Sequence, residues 1–241
     1  MDKYIVIDGK MRKDEKEYIR SLKADVIELT QNNGVYDEIS SHVDIFCSKI
    51  NGKVIFEKRL YSLLKSKSQI FKENIISGDS FIKGNYPNDI AYNVCNIGNN
   101  AIHNFKYTDK TILNVIQKEK LNMININQGY SNCSIAVIDD SSAIVADKKI
   151  GEVLLKNGID VLLLDKEDLD IKLLKNNGKY STMKGFIGGC IARIEDKIIV
   201  FGDINKIDKY GKIRDFVNAR KLELVYFKDL DVIDYGGVVT F

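Results

Sequence analysis

The sequence predicts an α/β fold made of five strand–strand–helix–strand (ββαβ) units, arranged as a five-bladed propeller and closed by pairing of the N- and C-terminal strands. Three observations carry this expectation. Hairpin-like stretches recur along the chain at 41–56, 88–104, 132–147 and 188–203, each turning at Gly, Asn, Asp or Ser. After them the apolar spacing changes from period two toward three and four, as at Ile112, Val115 and Ile116, and a third apolar strand follows. The two ends of the chain hold complementary fragments of one more unit. Repeats of this length mark arrays and propellers.

In chain order, KYIVIDG (3–9) reads as a strand, DEKEYIRSLK (14–23) as a helix and ADVIELT (24–30) as a strand. This set lacks a first strand. SHVDIFCSKINGKVIF (41–56) opens the next unit, with His42, Asp44 and Cys47 expected inside one strand and a turn at Asn51-Gly52. NDIAYNVCNIGNNAIHN (88–104) precedes a helical run at 109–120 and the strand LNMININ (121–127). NCSIAVIDDSSAIVAD (132–147) precedes a helix at 148–158 and IDVLLLD (159–165). GGCIARIEDKIIVFGD (188–203) precedes a longer helical run over 205–221 and LELVYF (222–227). YGGVVTF (235–241) begins with the small residues also seen in IGGCIARI, so it can supply the strand missing at the N-terminus and remove an exposed edge. A doubly wound sheet is the alternative for alternating strands and helices. Hairpins before every helix argue against it, as does the lack of G-x-G-x-x-G after an early strand. Pro87 is the only proline and no Gly- or Pro-rich linker divides the chain, so one domain over 1–241 is expected.

With 241 residues, 44% of them hydrophobic, the chain is long enough to bury a large core. Its 36 basic and 34 acidic residues nearly cancel and are spread along its length, which argues against a nucleic-acid partner. No apolar run approaches 18 residues and no leader pattern opens the chain, so neither a membrane partner nor export is expected, and a cytoplasmic location is. Cys47, Cys95, Cys133 and Cys190 show no C-x-x-C spacing, and the two histidines, His42 and His103, show no H-x-x-x-H spacing. Free thiols are expected, with no metal site and no cofactor. The stretches 65–74 and 175–184 read as solvated loops and helix ends, the second placed to act as a lid.

The five-unit pattern, together with His42-Val43-Asp44, YPND at 86–89 and the glycine pairs 188-189 and 236-237, resembles the pentein, or guanidino-group-modifying, superfamily. That superfamily includes arginine deiminases, amidinotransferases and dimethylarginine hydrolases. The chain is similar to a bacterial branch of it that lacks the usual C-terminal cysteine. Catalytic members end in a pattern like G-G-x-x-H-C, whereas this chain ends Gly236-Gly237-Val238-Val239-Thr240-Phe241. The resemblance implies a guanidino ligand gripped by carboxylates, whose paired oxygens match the planar N–H fork, a thiolate nucleophile and a histidine for proton transfer.

On that basis His42 is the acid–base candidate, and Asp44 and Asp89 are the guanidinium anchors. Cys190, after Gly188-Gly189, and Cys133, at the matching start of the preceding unit, are displaced nucleophile candidates. Asn88 and Asn132 are candidate polar liners, and Arg193 is a candidate cation for a thiolate or a carboxylate ligand. His103, Cys47 and Cys95 read as structural. Because the terminal cysteine is absent, the function expected first is a non-catalytic or divergent protein that binds a guanidino compound; the alternative is a hydrolase, deiminase or amidinotransferase using Cys190 or Cys133 with His42 and Asp44 or Asp89. The oligomeric state is left open.

Overall fold

The structure, a computed structural model, describes residues 4–30, 34–67, 74–174 and 183–241. The loop expected at 65–74 and the lid expected at 175–184 lie largely outside the described residues.

The N-terminal elements are β1 (Tyr4–Asp8), α1 (Lys13–Ser21) and β2 (Asp25–Leu29). Next come a short helix α2 (Val43–Phe46), the hairpin β3 (Cys47–Ile50) and β4 (Lys53–Phe56), α3 (Lys58–Lys67) and β5 (Ile75–Ser77). The third unit is β6 (Cys95–Ile97), β7 (Asn100–His103), α4 (Lys110–Lys118) and β8 (Asn122–Asn125). The fourth is α5 (Ser131–Ser134), β9 (Ile135–Asp139), β10 (Ser142–Val145), α6 (Lys148–Lys156) and β11 (Asp160–Leu163), after which β12 (Ile171–Leu173) intervenes. The last runs α7 (Ile187–Cys190), β13 (Ile191–Ile194), β14 (Lys197–Val200), α8 (Lys212–Asn218) and β15 (Glu223–Tyr226), followed by β16 (Val232–Asp234) and β17 (Val239–Thr240).

Among the described residues, five three-stranded sheets share one order: β17-β1-β2, β3-β4-β5, β6-β7-β8, β9-β10-β11 and β13-β14-β15. In each, the first pair is antiparallel and the second is parallel across a helix. A two-turn helix suffices for this crossover because it only has to carry the chain back over a four-residue strand. The terminal sheet is assembled from both ends of the chain, with Ile5 opposite Thr240 and Val6 opposite Val239. Tyr4 and Phe241 exchange both backbone hydrogen bonds, at 2.9 and 3.0 Å, and their rings stack 5.4 Å apart. First strands touch in succession: β17 with β3, β3 with β6, β6 with β9, and β9 with β13. A parallel pair of β12 and β16, not anticipated from sequence, ties the segment before α7 to the segment before β17.

The helices bury the expected faces. Ile112, Val115 and Ile116 of α4 are buried at i, i+3 and i+4, and Ile150 and Leu154 do the same on α6. Asp109 and Asp147 cap these two helices by accepting from the second and third N–H groups.

Two expectations need correction. The strand expected to hold His42, Asp44 and Cys47 begins only at Cys47, because Val43–Phe46 is a single helical turn. The same turn precedes the strands at Ser131–Ser134 and Ile187–Cys190, so Cys133 and Cys190 lie in turns and not in strands. Neighbouring backbone groups hold these turns: Asp44 N–H donates to Gly236 O and Asn132 N–H to Asn93 O, pairings that no local period encodes. The helical run expected over 205–221 is also shorter. Gly211, at φ 72°, stands at the N-terminal boundary of α8, and the segment before it makes only a 3-10 turn over Ile204–Lys206.

Candidate active site

The three short turns and the segment before β17 meet, and their polar side chains form one buried cluster. Asp44 comes from α2 and His42 from the residue that precedes it, Cys133 from α5, Asp234 from the end of β16, and Asn93 from the segment before β6. All five are 3% exposed or less. Cys133 Sγ donates to Asp44 Oδ2 at 2.7 Å. Asn93 holds that pair from the other side. Its Nδ2 donates to Cys133 Sγ (3.3 Å) and to the Asp44 backbone carbonyl (3.2 Å), and its Oδ1 accepts from the N–H groups of Asn132 and Cys133. Asp234 fixes the surrounding backbone, accepting from Phe186 N–H at Oδ2 (2.8 Å) and from Gly236 N–H at Oδ1 (2.9 Å). His42 Nδ1 lies 3.8 Å from Asp234 Oδ1.

The glycine pairs make this approach feasible. A Cβ at Gly189 would fall on the Asp234 carboxylate, and one at Gly236, where φ is 69°, would meet Asp44 Oδ1 at 2.6 Å.

Beside this group lies a second chain of polar atoms. Tyr130 Oη donates to Asp89 Oδ2 at 2.7 Å, and the Tyr36 and Tyr130 hydroxyls are 3.3 Å apart. Burial raises the Tyr36 hydroxyl and keeps it protonated, against the hydrogen bond with Tyr130.

Unsatisfied atoms are concentrated in these groups, with two more among the described residues at Asp8 Oδ2 and Glu38 Oε1. Among the described residues, both ring nitrogens of His42, Oδ1 of Asp44 and Oδ1 of Asp89 are buried without a hydrogen-bond partner. Burying such atoms costs on the order of 1–3 kcal/mol each, so several together call for an explanation. His103 is the contrast: Nδ1 pairs with Thr108 Oγ1 at 2.6 Å and Nε2 with Gly129 O at 2.9 Å, and burial lowers its pKa to about 4. It is a structural imidazole, as expected.

Electrostatics follow from burial and from crowding of acids. Burial pushes the Asp44 carboxyl up to about 6, with His42 opposing the rise and Asp234 adding to it. Burial raises Asp89 as well, against the Tyr130 hydrogen bond. The Cys133 thiol is raised well above its ordinary value by burial, then by Asp44 and Asp234, and Cys190 by burial and Asp234. Both stay protonated thiols while those acids are unneutralised. Among the described residues, no three His, Cys, Asp or Glu side chains are grouped to hold a metal ion.

The remaining sequence candidates fall elsewhere. Cys190 Sγ turns back to Ile187 O at 3.4 Å and bonds within its own turn. Asn88 is exposed and makes backbone bonds to Asn85 and Lys83. Arg193 bonds to Glu195 O and Asp140 at the far end of β13. Asn132 and Arg193 line a central cavity walled by the five first strands, whereas Cys133 and Cys190 do not. Asp234, Asn93, Tyr36 and Tyr130 were not singled out from sequence. Only Asp234 had a signal, its place two residues before the glycine pair.

A sequence family described as a family of unknown function (DUF6873) matches residues 6–239. The chain belongs to this DUF6873 family. No curated protein matches the chain in sequence. Solved structures do match this DUF6873 member in fold. A cysteine-to-serine variant of DDAH from Pseudomonas aeruginosa, complexed with citrulline, has a TM-score of 0.60 at 9% identity, covering 100% of both chains. A histidine-to-glycine variant of dimethylarginine dimethylaminohydrolase, as an adduct with S-methyl-L-thiocitrulline, has a TM-score of 0.61 at 9% identity over 100% of both chains. Agmatine deiminase from C. jejuni has a TM-score of 0.53 at 12% identity, covering 93% of this chain and 87% of its own. At these identities the likeness is one of fold, and it assigns a mixed α/β, pentein-like fold to the chain.

Proposed function

We propose that the chain is a single-domain, five-bladed pentein propeller that takes a guanidino compound into the buried cluster, with Cys133 as nucleophile. His42 is the proton-transfer group, Asp44 and Asp89 anchor the guanidinium, and Asp234 orients His42. Cys190 has no part in this reading, because its thiol bonds within its own turn.

One observation carries the proposal: Cys133, His42 and Asp44 meet in a single buried cluster whose remaining acceptors are unsatisfied. A guanidinium offers only N–H donors in a plane and a delocalised charge, the complement of Asp44 Oδ1 and Asp89 Oδ1. Its arrival also addresses the thiol. Burial, then Asp44 and Asp234, raise the Cys133 pKa, and a cation bound at Asp44 offsets the field of the acids and favours the thiolate. The thiol proton passes to His42, Sγ attacks the guanidino carbon, His42 gives that proton to the leaving amine, and an amidino thioether remains on Cys133. Water then adds to this carbon with its proton taken by His42, Sγ is expelled and regains a proton from His42, and a ureido product is released. An acceptor amine in place of water would make the reaction an amidino transfer. The set is drawn from positions between His42 and Asp234, because position around the sheets, and not order in sequence, brings these residues together.

The test is covalent. 2-Chloroacetamidine, planar and cationic, should alkylate Cys133 at least tenfold faster than neutral chloroacetamide does, and Asp44→Asn should erase the preference. Equal, slow labelling of all four cysteines overturns the nucleophile assignment. The raised thiol supports a second reading, a protein that binds the guanidino compound without turning it over. A thermal shift with agmatine or arginine, but no release of ammonia, amine or urea, would select it.

A further inference from the structure

All six buried side-chain atoms that lack a hydrogen-bond partner among the described residues trace to one stretch of chain, residues 36–44. Glu38, His42 and Asp44 lie on it. Asp89 is tied to it by Tyr130, whose hydroxyl donates to Asp89 Oδ2 and lies 3.3 Å from the hydroxyl of Tyr36. Asp8, the last residue of β1, is tied to it by Ser41, whose Oγ donates to Asp8 Oδ1 at 2.6 Å. The guanidino reading uses His42, Asp44 and Asp89. It leaves Asp8 and Glu38 without a part, although both are fully buried.

Local backbone structure holds these two acids close to the cluster. The chain from Tyr36 to His42 is a run of tight turns, with Ile39 N–H donating to Tyr36 O, Ser40 N–H to Asp37 O and His42 N–H to Ile39 O. The first and fourth Cα atoms of such a turn lie within about 7 Å, so Glu38, one residue before Ile39, stands within roughly 11 Å of His42. Asp8 is nearer still along the bonds, since Ser41 is the residue before His42 and α2 packs on β1.

Charge then decides what could satisfy them. Asp8, Glu38, Asp44 and Asp89 each keep one buried oxygen without a donor, and among the described residues no Lys or Arg side chain bonds any of the four. Lys10 is beside them, but its ammonium donates to Asp37 O (2.6 Å) and Ser40 Oγ (2.8 Å), and only its backbone N–H reaches Asp8 Oδ1 (2.7 Å). A buried carboxylate oxygen needs a donor, best a cationic one. One guanidinium supplies Asp44 and Asp89. A second cationic group is required for Asp8 and Glu38.

We infer that the ligand of the buried cluster is a dication, a guanidinoalkylamine, whose primary ammonium is taken by Asp8 and Glu38. The inference rests on the guanidino reading and adds the other end of the ligand. An ammonium brings three donors, enough for Asp8 Oδ2 and Glu38 Oε1 together. Four methylenes put an amine about 7 Å from the guanidino carbon in an extended chain, a span compatible with the separation of Glu38 from His42. An α-amino acid such as arginine carries a carboxylate next to its ammonium and would press that charge against the two acids, so the same residues select against it.

Calorimetric titration of the full chain with agmatine, butylguanidine and arginine tests this, because the three share the guanidino group and differ at the other end. Agmatine should bind at least tenfold more tightly than either of the others. Asp8→Asn and Glu38→Gln should each cost agmatine at least threefold in affinity, and the double variant at least tenfold, with circular dichroism checking the fold. If the double variant does not fold, the agmatine-to-butylguanidine ratio in Glu38→Gln decides the same point. Butylguanidine or arginine bound by the native chain as tightly as agmatine would overturn the ammonium site and leave the guanidino reading standing. An undiminished ratio in a folded variant would do the same. Binding of none of the three would overturn both.

Discussion

Asp44 and His103 are both buried and titrate over nearly the same pH range with opposite consequences for stability. The Asp44 carboxyl is raised to about 6. Its contribution is therefore present below the ordinary carboxylate range and is lost as pH rises through about 6. The His103 imidazole is lowered to about 4, so its contribution is present above the ordinary imidazole value and is lost as pH falls toward about 4. Asp44→Asn should thus gain in Tm relative to the native chain as pH is raised from about 4 to about 6.5. His103→Gln should flatten the native chain's loss of stability on acidification. Melting curves at half-unit pH steps check both, and parallel Tm profiles for Asp44→Asn and the native chain would show that Asp44 does not titrate in this window. The same comparison separates the two histidines: His103 is fully hydrogen-bonded, whereas His42 has no bonded ring nitrogen among the described residues. Nothing in their sequence neighbourhoods distinguishes them so sharply, because the partners of His103 include a carbonyl 26 residues away.

At the level of elements, the glycines and caps carry most of the testable content. Gly189→Ala would place a methyl group on the Asp234 carboxylate, which holds both the start of α7 and the chain before β17. A cost of about 3 kcal/mol, or a fall in Tm on the order of 10 °C, is expected. The two aspartate caps should differ. Asp109 is fully buried and also accepts from the N–H groups of Asp79 and Ser80 through Oδ2, whereas Asp147 is partly exposed and adds only an ion pair with Lys166. Asp109→Ala should cost about 2–3 kcal/mol and Asp147→Ala about 1 kcal/mol, measured by urea unfolding. The strands, hairpins and most helices of these units were legible because periods of two and of three to four are local properties. The helical turns at Val43–Phe46, Ser131–Ser134 and Ile187–Cys190 were not. Each is only four residues long, and bonds to neighbouring units set it more than its own propensity does.

For the whole molecule, the pairing of β1 with β17 makes the last residues a structural requirement. Deleting 236–241 removes the partner of Tyr4–Asp8, the Tyr4–Phe241 stack and the backbone that packs on Asp44. It also exposes a strand edge. A fall in Tm on the order of 10 °C or more is expected, and a truncated chain that melts within a degree or two of the native one would refute the closure. Ligand linkage acts at the same scale. Agmatine at one hundred times its Kd should stabilise the fold by about 2.7 kcal/mol, and Asp44→Asn or Asp89→Asn should abolish that shift, since an amide brings one acceptor and no charge. His42→Ala should keep much of the shift while stopping turnover, because a proton-transfer group acts mainly in the transition state.

The sequence by itself determined the repeating order of strands and helices and the complementarity of the chain ends, because hydrophobic period and turn chemistry are written within a few residues of each other. It also singled out His42, Asp44, Asp89 and Cys133 as chemistry worth locating. Only the tertiary structure decided that Cys133, and not Cys190, faces Asp44, that Asp234 and Asn93 complete the group, and that Arg193 belongs to a different cavity. Those outcomes depend on how closely the backbones of separate units approach. Glycines at 188, 189 and 236 permit that approach, but its direction is set by the packing of one sheet on the next.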